Sequence, residues 1–282
     1  MRHESGTRAL NGPPPVPQGF DASVPNVARV YDALLGGKDN YAADRQAAGK
    51  LLAAVPGAAV AARQNRAFLA RAVRFLAREA GIRQFLDIGT GLPTGGSVHE
   101  IAHAADPQAH VVYADYDPVV VRHAEAMLAN ALTVAAVNAD LRHPRHLLTL
   151  PTVRTLINLA EPVAVLLVAV LHFLEDREDP WAIVKCLKDQ MAPGSYLVIS
   201  HVTADHIPAA AAQQAREAYQ DASAPGVTRT REDIARFFGG LEMIAPGLVN
   251  VSGWRPDHLG LAVGPVLFYA GIGRKHSGGK PR

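Results

Sequence analysis

Short apolar runs alternate with helical stretches through the middle of the chain, and this alternation constrains the fold more than any other feature. The first run, Phe85-Leu86-Asp87-Ile88-Gly89, ends in a glycine-containing loop, as a buried parallel strand does. Strands that alternate with helices form a parallel sheet covered on both faces. The sequence therefore predicts an α/β fold. The later strands are predicted at 110–114, 133–138, 163–170 and 196–200, and the helices between strands at about 97–105, 118–130 and 178–191.

The segments on either side of this alternation differ from it. Residues 1–24 are rich in proline, glycine and polar side chains, so we expect a disordered or extended arm, and residues 276–282 are predicted to be a flexible tail. Residues 25–80 carry helical patterns, which predict an N-terminal helical lid over a main domain at 81–275. The further elements are predicted at 26–36, 40–55 and 57–80 in the lid, and at 208–222, 231–238, 241–249 and 266–272 after the fifth strand.

Composition narrows the class of protein. A chain of 282 residues that is 49% apolar can bury one large core. No apolar stretch is long enough to span a membrane, the N-terminus has no signal-peptide pattern, and the lone Cys186 cannot form an intrachain disulfide. With a formal net charge of +2 and no basic run interleaved with aromatic residues, nothing calls for a nucleic-acid partner. We expect a cytoplasmic protein that does not act at a membrane.

The glycine-rich loop after the first strand is the strongest candidate for a ligand site. It reads Asp87-Ile88-Gly89-Thr90-Gly91-Leu92-Pro93-Thr94, and such glycines let a ligand approach the backbone closely, although an ordinary turn would also explain them. The second predicted strand leads to Asp115, whose carboxylate can accept both hydroxyl protons of a ribose. Asp117 precedes Pro118 and is better explained as a helix N-cap.

A third acidic residue, Asp140, follows the third predicted strand. Its carboxylate could accept the exocyclic amine of an adenine while Leu141 packs on the ring, and a turn aspartate would explain it equally well. A dinucleotide fingerprint needs a third glycine leading directly into a helix whose N-terminus holds the pyrophosphate. Here Thr94 takes that position, and Ser97-Val98-His99-Glu100 predicts a capping box at a later helix start. The pattern suits S-adenosylmethionine, which has no pyrophosphate.

These motifs resemble those of class I S-adenosylmethionine-dependent methyltransferases. The resemblance lies in residues 87–94, 111–118, Asp140 and 165–173. More narrowly, the chain is similar to an actinobacterial methyltransferase family catalogued as a domain of unknown function, DUF574. The stretches similar to that family are VARVYD at 27–32, LGGKDN at 35–40, and residues 84–93 and 193–201; Ser97 departs from the asparagine expected at its position.

The resemblance implies a Rossmann-like sheet of strand order 3-2-1-4-5-7-6 with an antiparallel last strand, and S-adenosylmethionine as cofactor. It does not supply the methyl acceptor, for which we expect a small molecule. Two alternatives remain: a protein that binds the nucleotide without turnover, and a nicotinamide-dependent oxidoreductase, which the missing third glycine disfavours. With the residue pattern, the resemblance places cofactor contacts on Asp87, Gly89, Gly91, Asp115, Tyr116, Asp140, Leu141 and Ala169.

The stretch His99-Glu100-Ile101-Ala102-His103 has the literal form of a zinc-protease motif. We interpret it as coincidental. The apolar stripe of this predicted helix would turn both histidines towards solvent, and Glu100 already belongs to the capping box. Because no third ligand lies at a recognisable spacing, no metal is expected.

A catalytic residue is only weakly indicated. His172 follows the fourth strand, faces the expected acceptor side and titrates near neutrality, so it is a candidate general base; a structural hydrogen bond would explain it equally well. Tyr31, Asn40 and Arg45 lie in the predicted lid, where packing or capping also explains them. The stretch Trp254-Arg255-Pro256-Asp257 lies between the last two strands and could line the acceptor pocket or be a surface loop.

Overall fold

The computed structural model describes residues 21–93, 96–128, 132–257 and 266–276. Within these ranges one eight-stranded sheet forms in the order β3-β2-β1-β4-β5-β8-β6, with β7 also paired to β8. The first five strands are mutually parallel, and β8 runs antiparallel to β5, β6 and β7. The strands are β1 (Gln84–Ile88), β2 (His110–Asp115), β3 (Val134–Asn138), β4 (Ala164–Val168), β5 (Tyr196–Val202), β6 (Glu242–Met243), β7 (Val249–Asn250) and β8 (Phe268–Arg274).

This sheet confirms the predicted fold class and strand order, with β8 in the position predicted for strand 7. One predicted strand is wrong in detail. The run 241–249 forms two separate strands of two residues, because Pro246 has no N–H to donate to a ladder and Gly247 turns the chain at a φ of +87°. Both short strands still pair with β8.

The helices follow the predicted positions closely before and between the strands. Two short helices after β3, α6 and α7, were not predicted. Among the residues described, no helix is long and apolar enough to cross a membrane. The helices are α1 (Val27–Leu35), α2 (Ala42–Ala54), α3 (Ala58–Arg78), α4 (Val98–His103), α5 (Pro118–Leu128), α6 (Pro144–Thr149), α7 (Pro151–Leu156), α8 (Pro180–Gln190), α9 (Ala209–Ala218) and α10 (Arg231–Arg236).

Both faces of the sheet are buried, as the continuous apolar strands predict. Alternate side chains such as Phe85 and Leu166 pack with α3 on one face, while their neighbours Leu86 and Val165 pack with α6, α7, α8 and α10 on the other. All five residues of β1 are buried. The sheet is therefore a middle layer between two layers of helices, and the ends of its strands remain available to a ligand.

Trp254 belongs to this core, whereas Arg255, Pro256 and Asp257 after it are exposed, in agreement with the surface-loop alternative. The Trp254 side chain is 0% exposed and its ring lies edge-on to Phe68, with 5.6 Å between ring centroids. Arg71 of α3 donates to the Trp254 carbonyl at 2.9 Å, and the neighbouring Arg255 pairs with Glu79. Trp254 therefore joins α3 to the segment between β7 and β8.

The N-terminal helices are joined to one another by buried polar contacts. Arg29 Nε of α1 donates to Asp44 Oδ2 of α2 at 2.9 Å, and the same carboxylate accepts the backbone N–H groups of Asn26 and Tyr41. Asn26 also caps α1, since its side chain accepts from two N–H groups of the first turn. Arg29 belongs to the VARVYD stretch that is similar to DUF574 proteins, and its contact with Asp44 joins α1 to α2.

The second stretch similar to DUF574 proteins, LGGKDN at 35–40, folds around Asp32. This carboxylate accepts from the Asp39 N–H and from Asn40 Nδ2, and it lies so close to Gly37 that a Cβ atom there would overlap it. Asn40 in turn accepts from Arg45 at 2.9 Å. Because these contacts order residues 36–40 as a loop, α2 begins at Ala42 and not at Asp39 or Asn40.

Candidate functional site

A cleft of about 950 Å³ opens where β1, β2 and β4 end. All eight residues predicted to contact a cofactor line it: Asp87, Gly89, Gly91, Asp115, Tyr116, Asp140, Leu141 and Ala169. The parallel arrangement explains this convergence, because the carboxyl ends of parallel strands meet at one edge of the sheet. Helices α1 and α3 contribute the opposite wall through Val27, Tyr31, Asn65 and Arg66.

Asp115 holds the glycine loop against the end of β2. Its Oδ2 atom accepts the Gly91 N–H at 3.0 Å, and its Oδ1 atom accepts the Asp117 N–H at 3.0 Å. The side chain lies at the floor of the cleft, and burial raises the pKa of Asp115 to about 6. Asp117 instead accepts the Val119 N–H at the start of α5, as its predicted capping role requires.

Asp87 is a second buried carboxylate in the cleft. It accepts from Thr90 Oγ1 at 3.1 Å, and burial raises its pKa to about 6, an increase that the nearby Arg66 guanidinium partly offsets. Arg66 also lines the cleft, and sequence analysis missed this residue. Among the described residues, none forms a hydrogen bond or ion pair with it. Its contact with the cleft depends on how α3 packs against the end of β1, and no local pattern reveals it.

The two glycines of the loop have different surroundings. Gly89 and Gly91 both have positive φ, at +72° and +66°. A Cβ atom on Gly89 would overlap the side chain of Val170, whereas one on Gly91 would meet no atom within 4 Å. Gly89 therefore permits close packing of the loop against the residues after β4, and Gly91 leaves room inside the cleft.

The remaining predicted side chains already have protein partners. Asp140 accepts the Arg142 N–H at 2.8 Å and the Arg142 guanidinium at 3.2 Å, and Arg142 also bonds Glu178. Tyr116 donates to Ser223 Oγ at 2.8 Å. An ionised carboxylate has about four acceptor positions, so Asp140 retains capacity for a further donor. Leu141 is buried beside it and offers an apolar surface.

Ala169 begins a buried chain of hydrogen bonds that sequence analysis missed. Its backbone has a φ of +57°, uncommon for a residue with a side chain, and its N–H donates to Ser200 Oγ at 3.0 Å. Ser200 donates to Asn65 Oδ1 at 2.6 Å, and Asn65 Nδ2 donates to Tyr31 Oη at 3.0 Å. The chain links the strand ends to helices α1 and α3, which cover the cleft.

His172 does not line this cleft; it lines a neighbouring cavity. The expectation that it titrates near neutrality is wrong. Burial, together with the adjacent His201 and Arg229, lowers the pKa of His172 well below its usual value. Its Nδ1 atom is buried and has no hydrogen-bond partner among the described residues. The imidazole is therefore neutral, and it is a weak base.

Among the described residues, no third His, Cys, Asp or Glu side chain joins the His-Glu-x-x-His stretch in a group that could hold a metal ion. Glu100 completes the predicted capping box by accepting the Ser97 N–H at 2.8 Å. The prediction that both histidines face solvent is wrong: His99 Nδ1 lies 2.8 Å from Tyr113 Oη, and His103 Nε2 lies 2.9 Å from the Ala109 carbonyl. These half-buried rings contact β2 and its preceding loop because the six-residue α4 packs closely against them.

A mixed sheet of this order, with acidic strand ends around one cleft, is that of a Rossmann-like methyltransferase. The chain belongs to the S-adenosyl methyltransferase family, whose model matches residues 15–276. This membership confirms the methyltransferase class and S-adenosylmethionine as cofactor, and it shows that the nicotinamide oxidoreductase alternative is wrong. None of the curated proteins matches the chain.

Solved structures agree with the family. A Thermobifida fusca protein provisionally named a methyltransferase is 44% identical, with 91% of this chain and 97% of that chain covered and a TM-score of 0.86. A DUF574 family protein from Streptomyces avermitilis is 38% identical, with 90% and 99% covered and a TM-score of 0.86. An O-methyltransferase family protein from Burkholderia thailandensis, 17% identical over 80% of this chain and 62% of that chain, has a TM-score of 0.50 and shares the fold alone.

Proposed function

We propose that the cleft at the ends of β1, β2 and β4 binds S-adenosylmethionine through the residues described above, and that the methyl acceptor is a small molecule. The observation that carries the cofactor assignment is Asp115, a buried carboxylate at the end of β2 that faces the cleft beside Gly91. The covering helices α1 and α3 line one side of the cleft, which favours a small acceptor over a macromolecular one.

The site fits a nucleotide that lacks a pyrophosphate. A pyrophosphate would need free N–H groups at the N-terminus of the helix after the loop. Here Glu100 accepts the N–H groups of Gly96 and Ser97, and Tyr113 Oη accepts the N–H of His99 at 2.9 Å. The donors at the start of α4 are therefore occupied by protein side chains, whereas the space beside Gly91 is open.

Each part of the cofactor has a suitable partner in this arrangement. Asp115 accepts the ribose hydroxyls, while Asp140 accepts the adenine amine and Leu141 packs on the ring. Asp87 pairs with the ammonium group of the amino-acid part, and Arg66 pairs with its carboxylate. When bound, S-adenosylmethionine supplies a sulfonium methyl group for displacement by a nucleophile, which leaves the neutral thioether and releases a proton if the nucleophile carried one.

The first test is calorimetric titration of the full-length, cofactor-stripped protein with S-adenosylmethionine, S-adenosylhomocysteine and NAD. We expect saturable binding of the first two and none of NAD. Conversion of an acceptor to a methylated product distinguishes an enzyme from a protein that only holds the nucleotide. Absence of binding by either sulfur nucleotide would contradict the site assignment.

The two buried carboxylates predict a pH dependence of nucleotide binding. Both Asp87 and Asp115 have a pKa near 6, and only their ionised forms accept hydrogen bonds at both oxygens. The affinity for S-adenosylhomocysteine should therefore fall between pH 7.5 and pH 5, by up to about tenfold per pH unit for each carboxylate. Titration calorimetry across this range measures the effect.

The same groups act on stability in the opposite direction. Because folding raises their pKa above the ordinary value of about 4, they stabilise the free protein at low pH, and that contribution is lost as the pH rises through about 6. The increase in melting temperature on adding S-adenosylhomocysteine should thus be larger at pH 7.5 than at pH 5. An equal increase at both values would contradict the roles of Asp87 and Asp115.

A further inference from the structure

A second cavity adjoins the cofactor cleft along the same edge of the sheet. It lies where β5 ends and β8 begins, at Val202, Thr203 and Phe268. Tyr31 and Phe173 line both the cleft and this second cavity. The two spaces therefore meet at these two aromatic side chains, and a ligand in the second cavity lies next to the nucleotide.

The lining of the second cavity is mainly apolar. Helices α1, α2, α3 and α9 contribute aliphatic side chains, and no carboxylate belongs to the described lining. The one charged lining residue, Arg216, is exposed and donates to Gln213 Oε1 at 2.7 Å. Such a lining offers no carboxylate to pair with a buried ammonium group, so it favours neutral ligands.

Aromatic rings form much of the wall. Phe173 lies 4.3 Å from His172 and 5.7 Å from Tyr219, measured between ring centroids, and Phe268 lies 5.9 Å from His172. Rings arranged edge-on and tilted in this way accept another flat ring with favourable aromatic contacts.

His172 is the buried polar group of this wall that lacks a partner. Its side chain is 6% exposed, and Nδ1 has no hydrogen-bond partner, although a buried nitrogen of this kind normally has one. The adjacent His201 cannot serve, because Arg229 donates to its Nε2 at 2.9 Å and its Nδ1 lies 2.7 Å from the Val202 carbonyl. Since a guanidinium only donates, His201 carries its proton on Nδ1 and is fully engaged.

We propose that the second cavity binds the methyl acceptor, and that this acceptor is a flat, mainly apolar aromatic molecule with one hydroxyl or amine that hydrogen-bonds to the His172 imidazole. The proposal rests on the proposed function, because it takes the adjoining cleft as the cofactor site. His172 is neutral, so it accepts a hydrogen bond from the nucleophilic group and orients that group beside Tyr31 and Phe173, where the two cavities meet.

The test uses the full-length protein saturated with S-adenosylhomocysteine and measures binding of three probes by calorimetry: 2-naphthol, naphthalene and 1-naphthylmethylamine, which is a cation at neutral pH. We expect 2-naphthol to bind more tightly than naphthalene, and the cation to show no saturable binding. Substitution His172→Phe should lower the affinity for 2-naphthol about three- to tenfold, towards that of naphthalene, because one hydrogen bond is lost.

The matched variant is Ala215→Phe, which fills the cavity from α9 and leaves the cofactor cleft unchanged. It should weaken 2-naphthol binding at least tenfold while S-adenosylhomocysteine binds as in the unmodified protein, and that nucleotide affinity also reports correct folding of each variant. Unchanged 2-naphthol affinity in both variants, or no probe binding while the nucleotide binds, would overturn the acceptor assignment alone. Loss of nucleotide binding by the unmodified protein would instead contradict the proposed function.

Discussion

Substitution of Asp115 by alanine is expected to lower the affinity for S-adenosylhomocysteine by about tenfold to a hundredfold while the chain still folds. Hydrogen bonds to a charged group contribute about 1.5–3 kcal/mol each, and tenfold in affinity corresponds to about 1.4 kcal/mol. The substitution removes the acceptor proposed for the ribose. It also removes the hydrogen bond from the Gly91 N–H to Oδ2, which holds the glycine loop against the end of β2. Titration calorimetry measures the affinity, and circular dichroism confirms the fold.

Asp117→Ala is the matched control. Asp117 lies two residues further along, is equally buried at 4% exposed, and holds the start of α5 by accepting the Val119 N–H. It does not line the cleft, so its substitution should lower the melting temperature without a comparable loss of nucleotide affinity. If Asp115→Ala binds the nucleotide as tightly as the unmodified protein, the ribose assignment is wrong.

Substitution of Gly89 by alanine is expected to lower the free energy of unfolding by about 2–5 kcal/mol. A left-handed backbone costs a residue with a Cβ about 1–2 kcal/mol, and forced overpacking adds about 1–3 kcal/mol. Both costs apply here, because φ is +72° and the new Cβ would overlap Val170. Urea denaturation followed by circular dichroism measures the change.

Gly91→Ala separates the two costs, since its φ is +66° but its Cβ would enter open space. It should destabilise the protein by only about 1–2 kcal/mol and should weaken nucleotide binding, because the added methyl group occupies the cleft. The double variant Gly89→Ala, Val170→Ala should recover the part of the loss that comes from overlap. Equal stability of Gly89→Ala and Gly91→Ala would show that contact with Val170 does not constrain the loop.

The sheet could be predicted from the sequence because its signals are local. Each parallel strand is a short apolar run with a polar or glycine-containing exit, and the position of Asp115 directly at such an exit places its side chain at the edge where ligands bind. Pro246, in contrast, divides a run whose composition is typical of a strand. The two-residue strands on either side of it were therefore recognisable only from their pairing with β8.

The rest of the site depends on contacts between distant parts of the chain. Ser200 and Asn65 are separated by 135 residues and meet only because α3 lies against the ends of β4 and β5. Arg66 reaches the cleft through the same packing. The low pKa of His172 likewise comes from burial beside His201 and Arg229, which no spacing along the chain indicates. Patterns within one element revealed the carboxylates and glycines, but not the residues that cover them.

The position of Tyr31 has a kinetic consequence. Its ring is part of the boundary of both cavities, and its hydroxyl ends the buried hydrogen-bond chain that begins at Ala169. A displacement of α1 that removes Tyr31 from one cavity also removes it from the other and breaks that chain. Along an exit route past Tyr31, the spent nucleotide and the methylated product would therefore depart during one opening event, and the frequency of that event would set the upper limit of turnover.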